Sequence, residues 1–156
     1  MDQDSFVVQS LDEFRHFEAS LGWPEGQFLG TQVLLFKPGS EFAKLWLKTY
    51  QDYRPSMWYY NAGQLPTESI LEKCPGFVKR EKVRFGVHNL AEKLYNHNWK
   101  GWRDYFAIHL LSRHRDYLAK EDMEESGIEE FNWENIMTYN KSFGSMAREV
   151  LEKLDL

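Results

Sequence analysis

A chain of 156 residues, 42% hydrophobic and 28% charged, is long enough to bury one core and has the balance of a globular domain. No apolar stretch approaches the roughly 20 residues that cross a bilayer, and the acidic start lacks the basic and apolar regions of a secretion signal, so the chain reads as soluble and without a membrane span. A net charge of −5 argues against nucleic acid as the main partner, and a single cysteine, Cys74, rules out an internal disulfide.

In chain order, Phe6-Val7-Val8 predicts a short buried strand, and Ser10-Leu11-Asp12-Glu13 has the capping chemistry to open a helix through Phe14 and Phe17. Gly22-Trp23-Pro24-Glu25-Gly26 reads as a turn. The run from Gln32 to Lys37 reads as a second strand, ended by Pro38-Gly39. Ser40 then caps the strongest predicted helix, which carries Phe42, Leu45, Trp46, Thr49, Tyr50 and Tyr53 at helical spacing and stops before Pro55. An aromatic loop, Trp58 to Gly63, is followed by Pro66-Thr67-Glu68, which opens a helix that Pro75-Gly76 must end. Phe77-Val78 and Val83-Arg84-Phe85 are candidate strands, and Tyr105 to Leu110 is another. The last third predicts helices over Arg113 to Met123, Trp133 to Tyr139 and Ser145 to Leu154. There is no repeat and no linker composition, so residues 1–156 read as a single domain of mixed α/β class.

Two patterns invite a functional reading. Asp2 and Asp4 flank one residue, and on an extended chain side chains at i and i+2 share a face, so both carboxylates can address one hard cation. The bland alternative is a solvated chain end. The second pattern is the aromatic content of 16%, with six Trp, eight Tyr and eleven Phe, which serves stacking on sugars as well as core packing. The cluster Lys79, Arg80, Lys82 and Arg84 reads as a solvated strand edge. Asn140-Lys141-Ser142 matches a glycosylation sequon by pattern alone.

The order of these motifs resembles a known family. Asp2-Gln3-Asp4, a strand, then Ser10-Leu11-Asp12-Glu13-Phe14-Arg15-His16-Phe17-Glu18 is similar to the segment after the metal-binding D-x-D of glycosyltransferase family thirty-two, which contains the alpha-1,4-glycosyltransferases. The block from Val33 through Lys37-Pro38-Gly39-Ser40-Glu41-Phe42 to Trp46 and Tyr50 resembles the family's next one. Trp58 to Gly63, followed by Gln64-Leu65-Pro66, looks like its N-x-G-P substrate loop. Trp102 to Leu110 resembles the late strand whose terminal histidine completes the metal site. The resemblance runs from Asp2 to about Arg115.

It implies a GT-A fold and a retaining, metal-dependent transfer of a sugar from a nucleotide-sugar donor to a hydroxyl of a glycan or glycolipid acceptor. Asp4 would bind the metal, Asp2 would act through metal-bound water or the donor ribose, and His109 would add a nitrogen ligand. An imidazole suits Mn²⁺ better than Mg²⁺. Trp58, Tyr60 and Asn61, in the loop closed by Gly63, would hold a sugar, and Arg113, less so Arg115, would meet the pyrophosphate. No catalytic residue is assigned. Two departures stand out: Gly30-Thr31-Gln32 replaces the family's asparagine at the start of the second strand, and the nucleotide-binding region that precedes D-x-D in the family is missing before Met1. The chain therefore reads as the C-terminal part of such a domain, a fragment or a truncated relative. The resemblance implies the Golgi for a full-length eukaryotic enzyme and the cytoplasm for a bacterial one. The alternatives are a catalytically inactive sugar-binding or scaffolding module on the same fold, and an unrelated α+β protein in which D-x-D is incidental.

Overall fold

The computed structural model describes residues 1, 3–113, 118, 120, 124 and 130–153. The chain is mixed α and β, with two small sheets and short helices among the described residues, and it forms two compact units: Met1–His88 with Asp104–His109, and Asn89–Arg103 with Leu110–Leu156. Among the described residues, no helix is long and apolar enough to cross a membrane.

The first unit holds both sheets. Strand β1 (Ser5–Val7) lies where the Phe6-Val7-Val8 run predicts a strand. Strand β2 (Ala19–Gly22) was not expected: Ala-Ser-Leu-Gly has no β-branched or aromatic residue to announce a strand, yet all four positions are buried. Strand β3 (Leu34–Phe36) falls inside the predicted run. Strand β4 (Lys79–Glu81) sits between the two candidate segments, and β5 (Ala107–His109) inside the third. The order β3-β2-β4 forms one sheet, with β2 antiparallel to β3 and parallel to β4. The other sheet is β1 with β5, antiparallel, pairing Ser5 with His109 and Val7 with Ala107.

The helix expected through Phe14 and Phe17 shrinks to a single 3-10 turn, Asp12–Phe14. Ser10 does accept the Asp12 N–H, at 3.2 Å. The turn stops there because Phe14 is drawn inward against Phe85 and Phe106, with ring centroids 4.6 and 4.8 Å away, and the chain then leaves as β2.

Helix α1 (Glu41–Thr49) is capped as expected, the Ser40 hydroxyl accepting the Ala43 N–H at 3.3 Å, after Gly39 turns the chain at φ +79°. Phe42 and Trp46 carry its buried face against Leu21, Leu29 and Leu71 of the core. Beyond Thr49 the chain tightens to a 3-10 turn, Tyr50–Asp52, and Tyr50 and Tyr53 stack on one another with both rings exposed. The expected helix at Pro66 becomes an irregular one. Tyr60–Gln64 and Thr67–Leu71 each form a π-helical turn.

The basic cluster meets intramolecular partners. Arg80 on edge strand β4 donates to the carbonyls of Trp23 and Pro24, Lys82 pairs with Glu25, Arg84 lies 4.2 Å over the Phe106 ring, and Lys79 is 5.2 Å from that of Phe17.

In the second unit, α2 (Ala91–Tyr95) and α3 (Ser142–Lys153) pack together. The buried Ser142 hydroxyl accepts the Trp99 N–H at 2.7 Å and faces the carbonyls of Lys93 and His97, so one side chain gathers the end of α2 and the start of α3. The predicted Trp133–Tyr139 helix is a 3-10 turn, Asn135–Met137, and α3 begins three residues before Ser145. Most of the predicted helix from Arg113 to Met123 lies outside the described residues.

Candidate functional site

The pairing of β1 with β5 positions the first elements of the site. Because Ser5 stands opposite His109, the residue just before β1, Asp4, is delivered to the end of β5. The His109 imidazole Nε2 lies 3.0 Å from Asp4 Oδ1 across 105 positions of sequence, a hydrogen bond in which the ring N–H donates to the carboxylate. The two side chains are 24% and 31% exposed, enough to be reached from solvent. Asp2 lies outside the described residues.

Do these atoms suit a divalent cation? Adjacent ligands of an octahedral ion sit about 3 Å apart when metal–ligand distances are about 2.1 Å. The Asp4–His109 separation matches that spacing, and one oxygen plus one imidazole nitrogen is a donor set that Mn²⁺ takes readily. Among the described residues, no third His, Cys, Asp or Glu joins them in a metal-holding group.

His109 also lines a cleft of about 770 Å³, whose walls include Phe28, Leu29, Thr31, Gln32, Trp58 and Tyr59. Trp58 is 92% exposed there, with its indole uncovered. Gln32 is buried and donates from Nε2 to the Gly86 carbonyl at 3.1 Å. Thr31 and Gln32 both line the cleft.

The other expected sugar contacts have different surroundings from Trp58. The Tyr60 ring lies 4.5 Å beneath the Arg54 guanidinium, which Asp52 hydrogen-bonds and holds above its ordinary pKa. Asn61 is buried. Its side-chain oxygen accepts the Arg54 N–H at 2.9 Å, and its NH₂ donates to the carbonyls of Asp52 and Thr49 at 3.1 and 3.3 Å. An Asn amide has two donors and two lone pairs, so one lone pair is left for any ligand. Gly63 packs under the Tyr59 ring. Arg113 is exposed and belongs to the second unit, and Arg115 lies outside the described residues.

Models of known protein families, curated proteins and solved structures offer no match to this chain.

Tyr59, like Phe28 and Leu29, is a cleft residue that sequence reasoning passed over. Its backbone has φ 62°, which no propensity reveals for a tyrosine, but the tyrosine-to-glycine spacing of four was visible in Tyr59-Tyr60-Asn61-Ala62-Gly63. The site as a whole offers an oxygen–nitrogen pair for a cation or a proton, whose histidine lines a cleft that also carries an open indole face.

Proposed function

We propose that this chain carries the metal and acceptor site of a retaining, metal-dependent glycosyltransferase of GT-A type, acting from a nucleotide-sugar donor on a glycan or glycolipid hydroxyl. The observation that carries the reading is the 3.0 Å approach of Asp4 to His109, a residue of the cleft wall. Those two residues were singled out together by motif order, and nothing in their sequence separation demands that they meet.

In this reading Asp4 and His109 would hold Mn²⁺, or Mg²⁺ less well, through a carboxylate oxygen and Nε2, the Nε2 proton moving to Nδ1 or to solvent as the ion takes its place. When bound, the ion neutralises charge developing on a departing nucleoside diphosphate. The Asp4 carboxylate also keeps the His109 ring oriented before a ligand arrives, and the Trp58 indole offers a flat apolar surface to one face of a sugar ring. The competing reading, a sugar-binding module without transfer, draws on the same Trp58 surface.

The deciding experiment is calorimetric titration of the chain with Mn²⁺, then with a panel of nucleotide sugars and free glycosides, for the wild type, Asp4→Ala and His109→Ala. The expected result is Mn²⁺ binding weakened by about 100-fold in each variant at an unchanged melting temperature, with nucleotide-sugar binding dependent on the metal. Mn²⁺ binding that is indifferent to both substitutions overturns the proposal. Glycoside binding with no response to metal or nucleotide favours the module instead.

A further inference from the structure

The cation pair leaves the most unusual backbone in the first unit unexplained. Tyr59 is one of two non-glycine residues with positive φ among the described residues, a conformation that costs a bulky L residue on the order of 1–3 kcal/mol and persists only where the surroundings enforce it. Two π-helical turns follow it at once, and such turns cluster at functional sites.

The enforcing contacts form a closed circuit. The Tyr59 hydroxyl donates to the Leu29 carbonyl at 2.8 Å, the Leu29 N–H donates to Thr67 Oγ1 at 3.0 Å, the Thr67 hydroxyl donates to the Gly63 carbonyl at 2.7 Å, and the Gly63 N–H returns to the Tyr59 carbonyl at 2.9 Å. Both backbone polar groups of Leu29, which lines the cleft, are therefore tied to the segment that begins with Tyr59 and reaches Thr67. The ring of Tyr59 fills the space over Gly63, where a Cβ would stand only 2.0 Å from it. The ring cannot swing aside without giving up the bond to Leu29.

This lock has a consequence for its neighbour. With Tyr59 held in the left-handed region, the preceding Trp58 is turned outward, exposed yet still on the cleft wall. A free loop would fold so large an apolar side chain away, since burying it is worth about 2–3 kcal/mol. We infer that Tyr59 is a positioning residue: it holds Trp58 as a stacking surface at a fixed distance from the Leu29 wall and so selects ligands with a flat apolar face, the class to which pyranose rings belong. This rests on the reading of the cleft as a sugar site.

The test uses the full chain labelled with 5-fluorotryptophan, the Trp58 ¹⁹F resonance being assigned by its loss in Trp58→Phe. Tyr59→Phe keeps the ring and removes the hydroxyl that donates to Leu29. Its expected effect is a broadened or displaced Trp58 resonance while the other five of the six tryptophans hold their positions. Titrated with methyl galactoside and methyl glucoside, the variant is expected to lose about five- to tenfold in apparent affinity, the scale of one hydrogen bond. Gly63→Ala should act in the same direction, and should it fail to fold, Tyr59→Phe still decides. A lowered melting temperature with the Trp58 resonance and the glycoside affinity both unchanged would mean that Tyr59 is merely structural, and overturns the inference. If no glycoside moves the Trp58 resonance of the wild type, the sugar reading fails instead, and the response of that resonance to Tyr59→Phe alone judges the positioning role.

Discussion

Asn61 shows how one side chain can look like a ligand contact and do another job. A buried amide that accepts the Arg54 N–H and donates to two carbonyls supplies what a helix C-terminus needs, closing the backbone groups left open where α1 gives way to the loop. Its own carbonyl accepts the Trp46 indole N–H at 2.9 Å, fixing that core ring from the same residue. Replacing it with alanine removes all three bonds at a partly buried junction, so Asn61→Ala should lower unfolding stability by about 1–2 kcal/mol in urea titrations. A variant with full stability and weakened glycoside binding would show instead that the amide serves a ligand. Trp58, three residues away, makes the contrast: it has the same kind of aromatic neighbours in sequence, but its ring is in solvent.

At the scale of elements, what could be read from sequence followed from side-chain type. Strands β1, β3 and β5 announce themselves because Phe6-Val7, Leu34-Leu35-Phe36 and Ala107-Ile108 are apolar runs. Strand β2 is silent because its small residues fit between the core and the turn at Trp23, and β4 is displaced because its own residues, Lys79, Arg80 and Glu81, are those of a strand edge, while the apolar Val78 and Phe85 outside it are the buried ones. The Ser40 cap and α1 were legible from local chemistry. The meeting of Asp4 with His109 was suggested by the order of motifs and not by local chemistry, since the contact itself depends on a strand register that only the fold supplies. The β2–β4 pair is short, and Arg80 clamps it: Nε and one terminal nitrogen donate to the Trp23 and Pro24 carbonyls, and the guanidinium lies 4.0 Å over the Trp23 ring. Arg80→Lys cannot reproduce that fork or the stacking, and should cost about 1–3 kcal/mol by thermal or chemical unfolding. The neighbouring Glu25–Lys82 pair is exposed and should contribute little, with a recognisable pH signature. The hydrogen bond from Lys82 lowers the Glu25 pKa on folding, so the folded protein binds fewer protons there than the unfolded one. The contribution is whole above about pH 4.5 and is lost as the pH falls through the folded value. Melting temperatures of the wild type and Glu25→Gln should therefore differ slightly at neutral pH and low salt and converge on acidification. A gap that widens in acid would contradict the assignment.

For the whole molecule, the decisive feature is the path of the chain. It leaves the first unit at His88, builds part of the second through Arg103, and comes back for Asp104–His109 before leaving again. That brief return supplies strand β5, the partner of β1, and with it Phe106 and Ala107, which pack with Phe14, Val33 and Phe85. Backbone bonds tie it in on both sides: the Val8 N–H donates to the Phe106 carbonyl, and the Phe106 N–H to that of Arg84, at 2.9 and 2.8 Å. A chain of residues 1–88 would keep most of the first unit's length but leave β1 unpaired and open a hole where the Phe106 ring sits, a loss of about 3–5 kcal/mol from that ring alone. Single domains have only about 5–15 kcal/mol in total, so this shortened chain should show no cooperative melting and no Mn²⁺ response. A chain of residues 1–109 retains both sheets and both Asp4 and His109, with Asn89–Arg103 reduced to a connecting loop whose closure entropy grows only slowly with length. It should melt cooperatively by near-ultraviolet circular dichroism. If 1–88 melts as sharply as 1–109, β5 is dispensable to the first unit, and the register that brings His109 to Asp4 cannot be what the core enforces.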